Sequence, residues 1–229
     1  MKPILFNTDM VRAILGDRKT VTRRAMKPQP IFNEVESGTP VKCEDGSWCF
    51  KIDQYDNIYD FYRKPPYQPG DILYVRETWC FEPKSANGYG YKANILAVSD
   101  GPWYPSIHMP KAAARLFLKV TNVRAERIQD ITEEQALAEG VPDSSDYPIS
   151  PVYCPRCKGE GLIGALHPVS LGYMEVECPD CKKSVDRFKN LWDSTVNPAD
   201  RNRYGWAANP WVWAIEFEQI SKEEALSYE

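Results

Sequence analysis

A short basic segment near the start of the chain is the stretch best suited to chemistry. Between Asp17 and Arg24 it holds three arginines, one lysine and two threonines, directly behind a predicted helix. A partly neutral lysine can act as a base or nucleophile, and a threonine can orient water or hold an oxyanion. The segment predicts either an anion-binding loop that presents Lys19 and Thr22 or a solvated basic loop.

Two cysteine pairs in the second half of the chain have metal-ligand spacing. Cys154 and Cys157 form one CxxC pair, Cys178 and Cys181 form another, and twenty residues separate the pairs. Four thiolates at this spacing predict a closed tetrahedral zinc site, which is structural rather than catalytic. The alternative is four free or disulfide-linked cysteines. His167 lies between the pairs, and we expect it to be a surface histidine because four sulfurs already suffice.

The remaining cysteines, Cys43, Cys49 and Cys80, show no metal spacing and are expected to be small buried side chains. No apolar run approaches the ~20 residues of a membrane span. Polar residues interrupt the N-terminal segment early, so no signal-peptide core is predicted. We therefore expect a cytoplasmic protein, because no targeting segment is predicted, and in that compartment clustered cysteines favour metal over disulfides.

The charge of the chain is unevenly distributed. The 229 residues carry a net charge of −4, which gives no overall polycationic signature. Residues 1–30 alone have a balance of +5, so the remainder is strongly acidic. A local basic patch on an acidic protein suits a small or short anionic ligand better than a long duplex.

Helical and extended patterns alternate along the chain. Residues 7–16 predict a helix that Thr8 caps and Gly16 ends. Its inner face is expected to be formed by two apolar i,i+4 pairs, Met10 with Ile14 and Val11 with Leu15. Thr132 and Gln135 predict a capping box at the start of a second helix.

Strand patterns are more numerous than helical ones. A hairpin around Asp45 and Gly46 is expected inside an irregular excursion at 31–66. Further strands are predicted at 72–79, 89–98, 115–123 and 211–217, and helices at 132–140 and 186–193. This pattern predicts an α+β fold, a small β-barrel with short flanking helices and a zinc-binding insertion.

Four blocks of the sequence, in this order, resemble the ASCH domain family. They are Leu15-Gly16-x-x-Lys19-Thr20-x-Thr22-x-Arg24, Pro69-Gly70-Asp71-x-Leu73-x-Val75-Arg76-Glu77, Ile131-Thr132-Glu133-Glu134-x-Ala136-x-x-Glu139-Gly140 and Asn209-Pro210-Trp211-Val212-Trp213-x-Ile215-x-Phe217. The last block is similar to the ending of phage and prophage members. The resemblance implies an ASCH domain over 1–220 with a PUA-like barrel and a link to RNA. The four-cysteine insertion then occupies 151–184 and a tail 221–229.

The resemblance also implies a reaction. Some small bacterial ASCH proteins are amidohydrolases that remove the acetyl group from N(4)-acetylcytidine. Lys19, Thr22 and Glu139 fall on the positions of their catalytic residues, so the implied substrate is a modified cytidine nucleoside. Lys19 would be base or nucleophile, Thr22 would orient water or the oxyanion, and Glu139 would shuttle a proton to the leaving amine. The alternative is a plain salt bridge between Lys19 and Glu139.

The substrate-binding residues expected beside them are Arg23, Arg24, Arg76 and Trp79. Arginines suit phosphate or carbonyl contacts, and Trp79 could stack on a base, although a core position is also open to it. Glu77 is expected to pair with an arginine. The competing interpretation is a module that binds RNA or single-stranded DNA without chemistry. A metal-dependent nuclease ranks lower because no second cluster of metal ligands is present, and a phage protein that targets a host factor remains an alternative.

Overall fold

The computed structural model describes residues 1–30, 38–51, 58–94, 101–142, 154–158, 160–170 and 172–228. In these ranges the fold is mixed α+β, with a sheet-rich core and a few short helices, which confirms the predicted class. The strands are β1 Lys2–Leu5, β2 Val21–Ala25, β3 Thr39–Lys42, β4 Trp48–Lys51, β5 Ile58–Arg63, β6 Ile72–Arg76, β7 Trp79–Phe81, β8 Tyr89–Tyr91, β9 Phe117–Arg127, β10 Leu162–Leu166, β11 Tyr173–Glu177 and β12 Trp211–Ile220. The helices are α1 Thr8–Leu15, α2 Glu133–Ala138, α3 Ser184–Thr195, α4 Arg201–Tyr204 and α5 Lys222–Ser227.

The largest sheet in the described part of the chain has the strand order β1-β6-β9-β12-β2. β1 runs parallel to β6, and β6 runs antiparallel to β9. Its strands are rich in Val, Ile, Leu and aromatic residues, which fit a pleated and buried surface. The closed PUA-like barrel stays a prediction.

The chain divides into two compact units. The first comprises residues 1–22, 32–125 and 213–229, and the second comprises residues 23–31 and 126–212. The predicted domain boundaries at 1–220, 151–184 and 221–229 stay predictions, and residues 151–153 lie outside the described part.

In the first unit, helix α1 packs through a narrower apolar face than its sequence suggests. Its N-cap is Asn7, whose side chain accepts a hydrogen bond from the Met10 backbone N–H, so the prediction of Thr8 as the cap is wrong by one residue. Val11 and Ile14 are buried, but Leu15 is exposed, so the predicted Val11–Leu15 pair does not form the inner face. Gly16 ends the helix as predicted.

The predicted strand at 72–79 is two strands. β6 ends at Arg76, whose guanidinium donates to the carbonyl oxygens of Ile107 and Met109. β7 begins at Trp79, whose backbone N–H and C=O both bond to Tyr104. The strand predicted at 89–98 ends at Tyr91 in β8, and residues 95–98 lie outside the described part.

The predicted loop behind α1 is also partly a strand. Residues 21–25 form β2, and Lys19, Thr22 and Arg23 are buried rather than solvated. The interpretation of this segment as a solvated loop is therefore wrong beyond Thr20.

Other local predictions are confirmed, with one exception. β3 and β4 form the antiparallel hairpin expected around Gly46, which has a positive φ of 77°. Cys49 and Cys80 are buried as predicted, but the prediction of a buried Cys43 is wrong, since this residue is half-buried with its Sγ 3.4 Å from Cys49 Sγ. The segment after Ser221 is helical, with Ser221 as the N-cap of α5.

In the second unit, α2 begins with the predicted capping box. The Thr132 side chain accepts from the Gln135 N–H, and the Gln135 side chain accepts from the Thr132 N–H. The helix predicted at 186–193 is longer, because α3 spans Ser184–Thr195. β10 and β11 form an antiparallel hairpin between the two cysteine pairs.

Candidate metal centre and binding cavities

The four predicted metal ligands come together in the second unit. The Sγ atoms of Cys154, Cys157, Cys178 and Cys181 all lie within 4.8 Å of one another, and the four residues are buried. Cys154 Sγ is 3.5 Å from Cys178 Sγ, and Cys157 Sγ is 3.6 Å from Cys181 Sγ. These distances are far longer than the ~2.05 Å of a disulfide. They are close to the sulfur–sulfur edge of about 3.8 Å in a tetrahedral zinc–thiolate site.

Backbone turns hold the sulfurs in this arrangement. The Gly161 N–H donates to Cys157 Sγ at 3.2 Å, and the Cys178 N–H donates to the Gly161 oxygen at 2.7 Å. Lys158 and Gly161 have positive φ angles of 52° and 75°, which turn the chain back towards the second pair. The cluster is therefore a closed pocket of soft donors that could hold a metal ion.

The protonation of these thiols fits the same interpretation. Burial raises the pKa of Cys154 and Cys181, because a thiolate loses its hydration inside the protein. A metal cation held by the four sulfurs would supply the missing counter-charge and displace the thiol protons. His167 is no part of the cluster, since its Nδ1 accepts the backbone N–H groups of Val169 and Ser170.

Arg23 is the centre of a buried polar network in the second unit. Its side chain has no exposed area and donates to Glu126 at 2.8 Å, to Glu139 at 3.1 Å and to Gln135 at 3.0 Å. The guanidinium also lies 5.9 Å from the centroid of the Phe188 ring. Arg23 thus ties α2 to the start of the chain, and its charge is already matched by Glu126 and Glu139.

The other two predicted catalytic residues lie in the first unit. Lys19 is 2% exposed, its Nζ donates to the Val21 carbonyl oxygen at 2.7 Å, and it lies 5.5 Å from the Phe6 ring centroid. Thr22 is also buried.

The predicted binding residues of the first unit have structural partners. Arg76 donates to two backbone carbonyl oxygens, as described above. Trp79 is buried among Phe81, Tyr89 and Tyr104, with ring centroids 4.9 to 5.6 Å from its own. Arg115 makes a bidentate ion pair with Glu77, with distances of 2.8 and 3.0 Å, so Glu77 pairs with an arginine as predicted.

Arg24 lies at a cavity that belongs entirely to the second unit. The first cavity has a volume of about 490 Å³, within the range of small-molecule sites. Its lining residues are Arg23, Arg24, Ala25, Lys27, Trp192, Thr195, Val196, Asn197, Asp200 and Tyr204. Lys27 Nζ lies 4.9 Å from the centroid of the Tyr204 ring, so a cation and an aromatic face meet at its edge.

A second cavity of about 500 Å³ shares Tyr204 with the first. It is lined by Pro28, Gln29, Pro30, Arg127, Asn202, Arg203, Tyr204, Ala208 and Pro210. The Arg127 guanidinium lies 4.7 Å from the Trp211 ring centroid and donates to the Asn209 carbonyl oxygen. Burial lowers the pKa of Arg127, but an arginine stays cationic at neutral pH.

Sequence reasoning missed most residues of these two cavities. From the sequence, Lys27 is only one of the basic residues within 1–30. Trp192 is only one residue of the helix predicted at 186–193. A signal was present in the basic–aromatic run from Arg201 to Tyr204, but the run has no motif spacing.

Comparisons with protein-family models, with curated proteins and with solved structures find no match. In the described part of the chain, every helix is too short or too polar to cross a membrane.

Proposed function

We propose that this protein binds single-stranded nucleic acid through the first cavity of its second unit. The observation that carries the proposal is the combination of Arg24, Lys27 and Tyr204 at a cavity of nucleotide size. Basic side chains attract phosphates, and an aromatic face accepts any base by stacking. Because Arg23 is neutralised by Glu126 and Glu139, the attraction comes from Arg24 and Lys27.

The charge distribution supports a short ligand. The whole chain is acidic, so a long duplex that covers its surface meets net repulsion. Besides the neutralised Arg23, the cavity lining holds Arg24 and Lys27 against the single acid Asp200. A few nucleotides at this cavity gain the local attraction without covering the acidic surface.

Fluorescence-anisotropy titration of a labelled single-stranded RNA or DNA oligonucleotide tests this proposal. We expect Lys27→Ala to weaken binding at least about fivefold, the range of one lost phosphate contact at low salt. Lys189→Ala is the matched control, since Lys189 is an exposed lysine of the same unit and does not line the cavity. Equal affinity of the native chain and the Lys27 variant, or no binding at low salt, would overturn the proposal.

The metal of the cysteine cluster is proposed to be zinc. Four thiolates with no open coordination position favour Zn²⁺ in a structural role. Its chemistry is to hold the two CxxC turns together, and so to fix the β10–β11 hairpin that has little core of its own.

Hydrolysis of N(4)-acylated cytosine is the second candidate function. It rests on the resemblance to ASCH amidohydrolases and on the burial of the Lys19 amine, whose Nζ lies 5.5 Å from the Phe6 ring centroid. The PUA-like barrel and the roles of Lys19, Thr22 and Glu139 belong to this proposal. In this candidate function, Arg76 and Trp79 would not contact the substrate directly but would hold the neighbouring groups that contact it.

Chromatography of N(4)-acetylcytidine after incubation with the protein tests the second candidate. Release of cytidine and acetate is expected from the native chain and not from Lys19→Ala. A lack of turnover for several acyl groups, by native protein that is folded and metal-loaded, would eliminate hydrolysis and leave binding untouched.

A further inference from the structure

We infer that the binding surface continues past Tyr204 into the second cavity, so that it selects a single strand of at least two nucleotides over a mononucleotide. This inference rests on the proposed function and names its ligand class. Each cavity has a volume of about 500 Å³, which accommodates one nucleotide rather than a duplex.

The two cavities are adjacent because the same chain segments line both. Lys27 lines the first cavity, and Pro28, Gln29 and Pro30 line the second. The segment from Asp200 to Tyr204 also contributes to both cavities. Asp200 lines the first cavity, Arg203 lines the second and Tyr204 lines both. Lys27 and Pro28 are consecutive residues that line different cavities. A nucleic-acid strand that leaves the first cavity beside Lys27 therefore reaches the second cavity at Pro28.

The second cavity repeats the chemistry of the first. Arg127 and Arg203 are its charged lining residues, and none of its described lining residues is acidic. Arg127 is held in place by Trp211 and the Asn209 carbonyl, which leaves a preorganised cation at the rim. Arg203 is exposed, so its side chain can change conformation to contact a phosphate.

Tyr204 is positioned to act on both nucleotides. Its ring is half-buried and belongs to the walls of both cavities, and the Lys27 ammonium lies over it. A base stacked at this ring and a phosphate at Lys27 place the next nucleotide at Arg203. An aromatic ring between successive bases is a common device for holding single strands without sequence preference.

Calorimetric titration with unlabelled ligands of increasing length tests the inference. The probes are adenosine 5′-monophosphate, the 5′-phosphorylated adenosine dinucleotide in its ribose and deoxyribose forms, and a blunt duplex. We expect the dinucleotide to bind at least about tenfold more tightly than the mononucleotide, and the duplex to bind more weakly than either. The ribose and deoxyribose forms distinguish RNA from DNA as the source of the strand.

Two variants separate the cavities. Arg203→Gln should remove most of the tenfold gain and leave mononucleotide affinity within about twofold, whereas Lys27→Gln should weaken both ligands. Tyr204→Ala removes the ring that both cavities share and should weaken both ligands, and Lys189→Gln is the control for charge.

The outcomes distinguish this inference from the proposal beneath it. If the mononucleotide binds and the second nucleotide adds nothing, or if Arg203→Gln weakens both ligands equally, the extension into the second cavity is wrong and the first cavity stands. If neither ligand binds and the oligonucleotide does not bind either, the proposed function itself is wrong.

Discussion

Single buried polar residues in this protein are held by specific partners. Glu139 is 3% exposed in its side chain, and Arg23 is completely buried against it. Removing Glu139 takes one acceptor from the buried Arg23 guanidinium, whose charge Glu126 still neutralises, and a buried donor that loses its acceptor is costly. Variants of Glu139 can therefore distinguish a contribution to stability from a contribution to catalysis.

Glu139→Ala is expected to lower the free energy of unfolding by about 2 kcal/mol, because the buried Arg23 guanidinium loses one acceptor while Glu126 still neutralises its charge. Glu139→Gln should cost less, since its amide oxygen still accepts from the Arg23 guanidinium. Urea denaturation of the two variants measures the difference. Equal stability of both variants and the native chain would contradict the ion pair, while loss of deacylation in a stable Glu139→Gln variant would favour the catalytic role.

Tyr91 provides a prediction about alkaline pH. Burial raises the pKa of its phenol above the ordinary value of 10.0, while its hydroxyl donates to the Ala113 carbonyl oxygen at 2.8 Å. The folded chain then keeps a proton that the unfolded chain releases. The stabilisation is complete below pH 10 and is lost as the pH rises through the higher folded pKa.

Urea denaturation at pH 8 and pH 11 therefore should show a smaller loss of stability in Tyr91→Phe than in the native chain. The native chain and the variant are compared by the change between the two pH values, because the variant also loses the two hydrogen bonds that the hydroxyl makes with Ala113 and Asn87. An identical change in both proteins would contradict the raised pKa.

At the scale of elements, local side-chain chemistry was predictable and long-range pairing was not. The capping box of α2 is written in four consecutive residues, and it forms as expected. The backbone of β7 pairs with Tyr104, far along the chain, so the pattern at 72–79 could not reveal the break after Arg76. The cap of α1 was displaced by one residue because Asn7 and Thr8 are both good caps and only the backbone path decides between them.

Thr132→Ala is expected to cost about 1 kcal/mol of stability, because the Gln135 N–H loses its acceptor at the start of α2. Thr132→Ser keeps the hydroxyl and should cost only a fraction of that. Thermal denaturation followed by circular dichroism gives the comparison. A serine variant as unstable as the alanine variant would show that the cap is not the source of the loss.

The four-cysteine cluster was predictable from the spacing of its cysteines. The β10–β11 hairpin between the two cysteine pairs was not predicted and is seen only in the structure. We expect one metal ion per chain by inductively coupled plasma mass spectrometry, and less than about a tenth of that in Cys154→Ser. Chelation should expose the β10–β11 hairpin to proteolysis, since the hairpin has largely exposed faces. Cys43→Ser is the control and should keep the metal, because Cys43 lies outside the cluster.

A native stoichiometry in the Cys154→Ser variant, or a chelated protein whose hairpin resists proteolysis as the native one does, would contradict the structural metal. Either result would leave the cavities of the same unit unaffected as candidate binding sites.

At the scale of the whole molecule, this acidic chain carries a local basic surface. Only a few residues of that surface could be predicted from the sequence. Residues 1–30 supply Arg24 and Lys27, which the uneven charge of the sequence already indicated. Arg203 and Tyr204 come from the other end of the second unit, and only folding brings them to the same cavities. The sequence could therefore predict a local anion site, but not the aromatic half of it.

The salt dependence of single-strand affinity tests the central claim most directly. Each phosphate contact contributes a slope of about −0.7 to the plot of log K against log salt for single strands. For the native chain we predict a slope of about −2, from Arg24, Lys27 and Arg203. Lys27→Ala should reduce its magnitude by about 0.7, and Lys189→Ala should leave it unchanged. A slope near zero, or one that both lysine variants lower equally, would contradict binding of a nucleic-acid strand at these cavities.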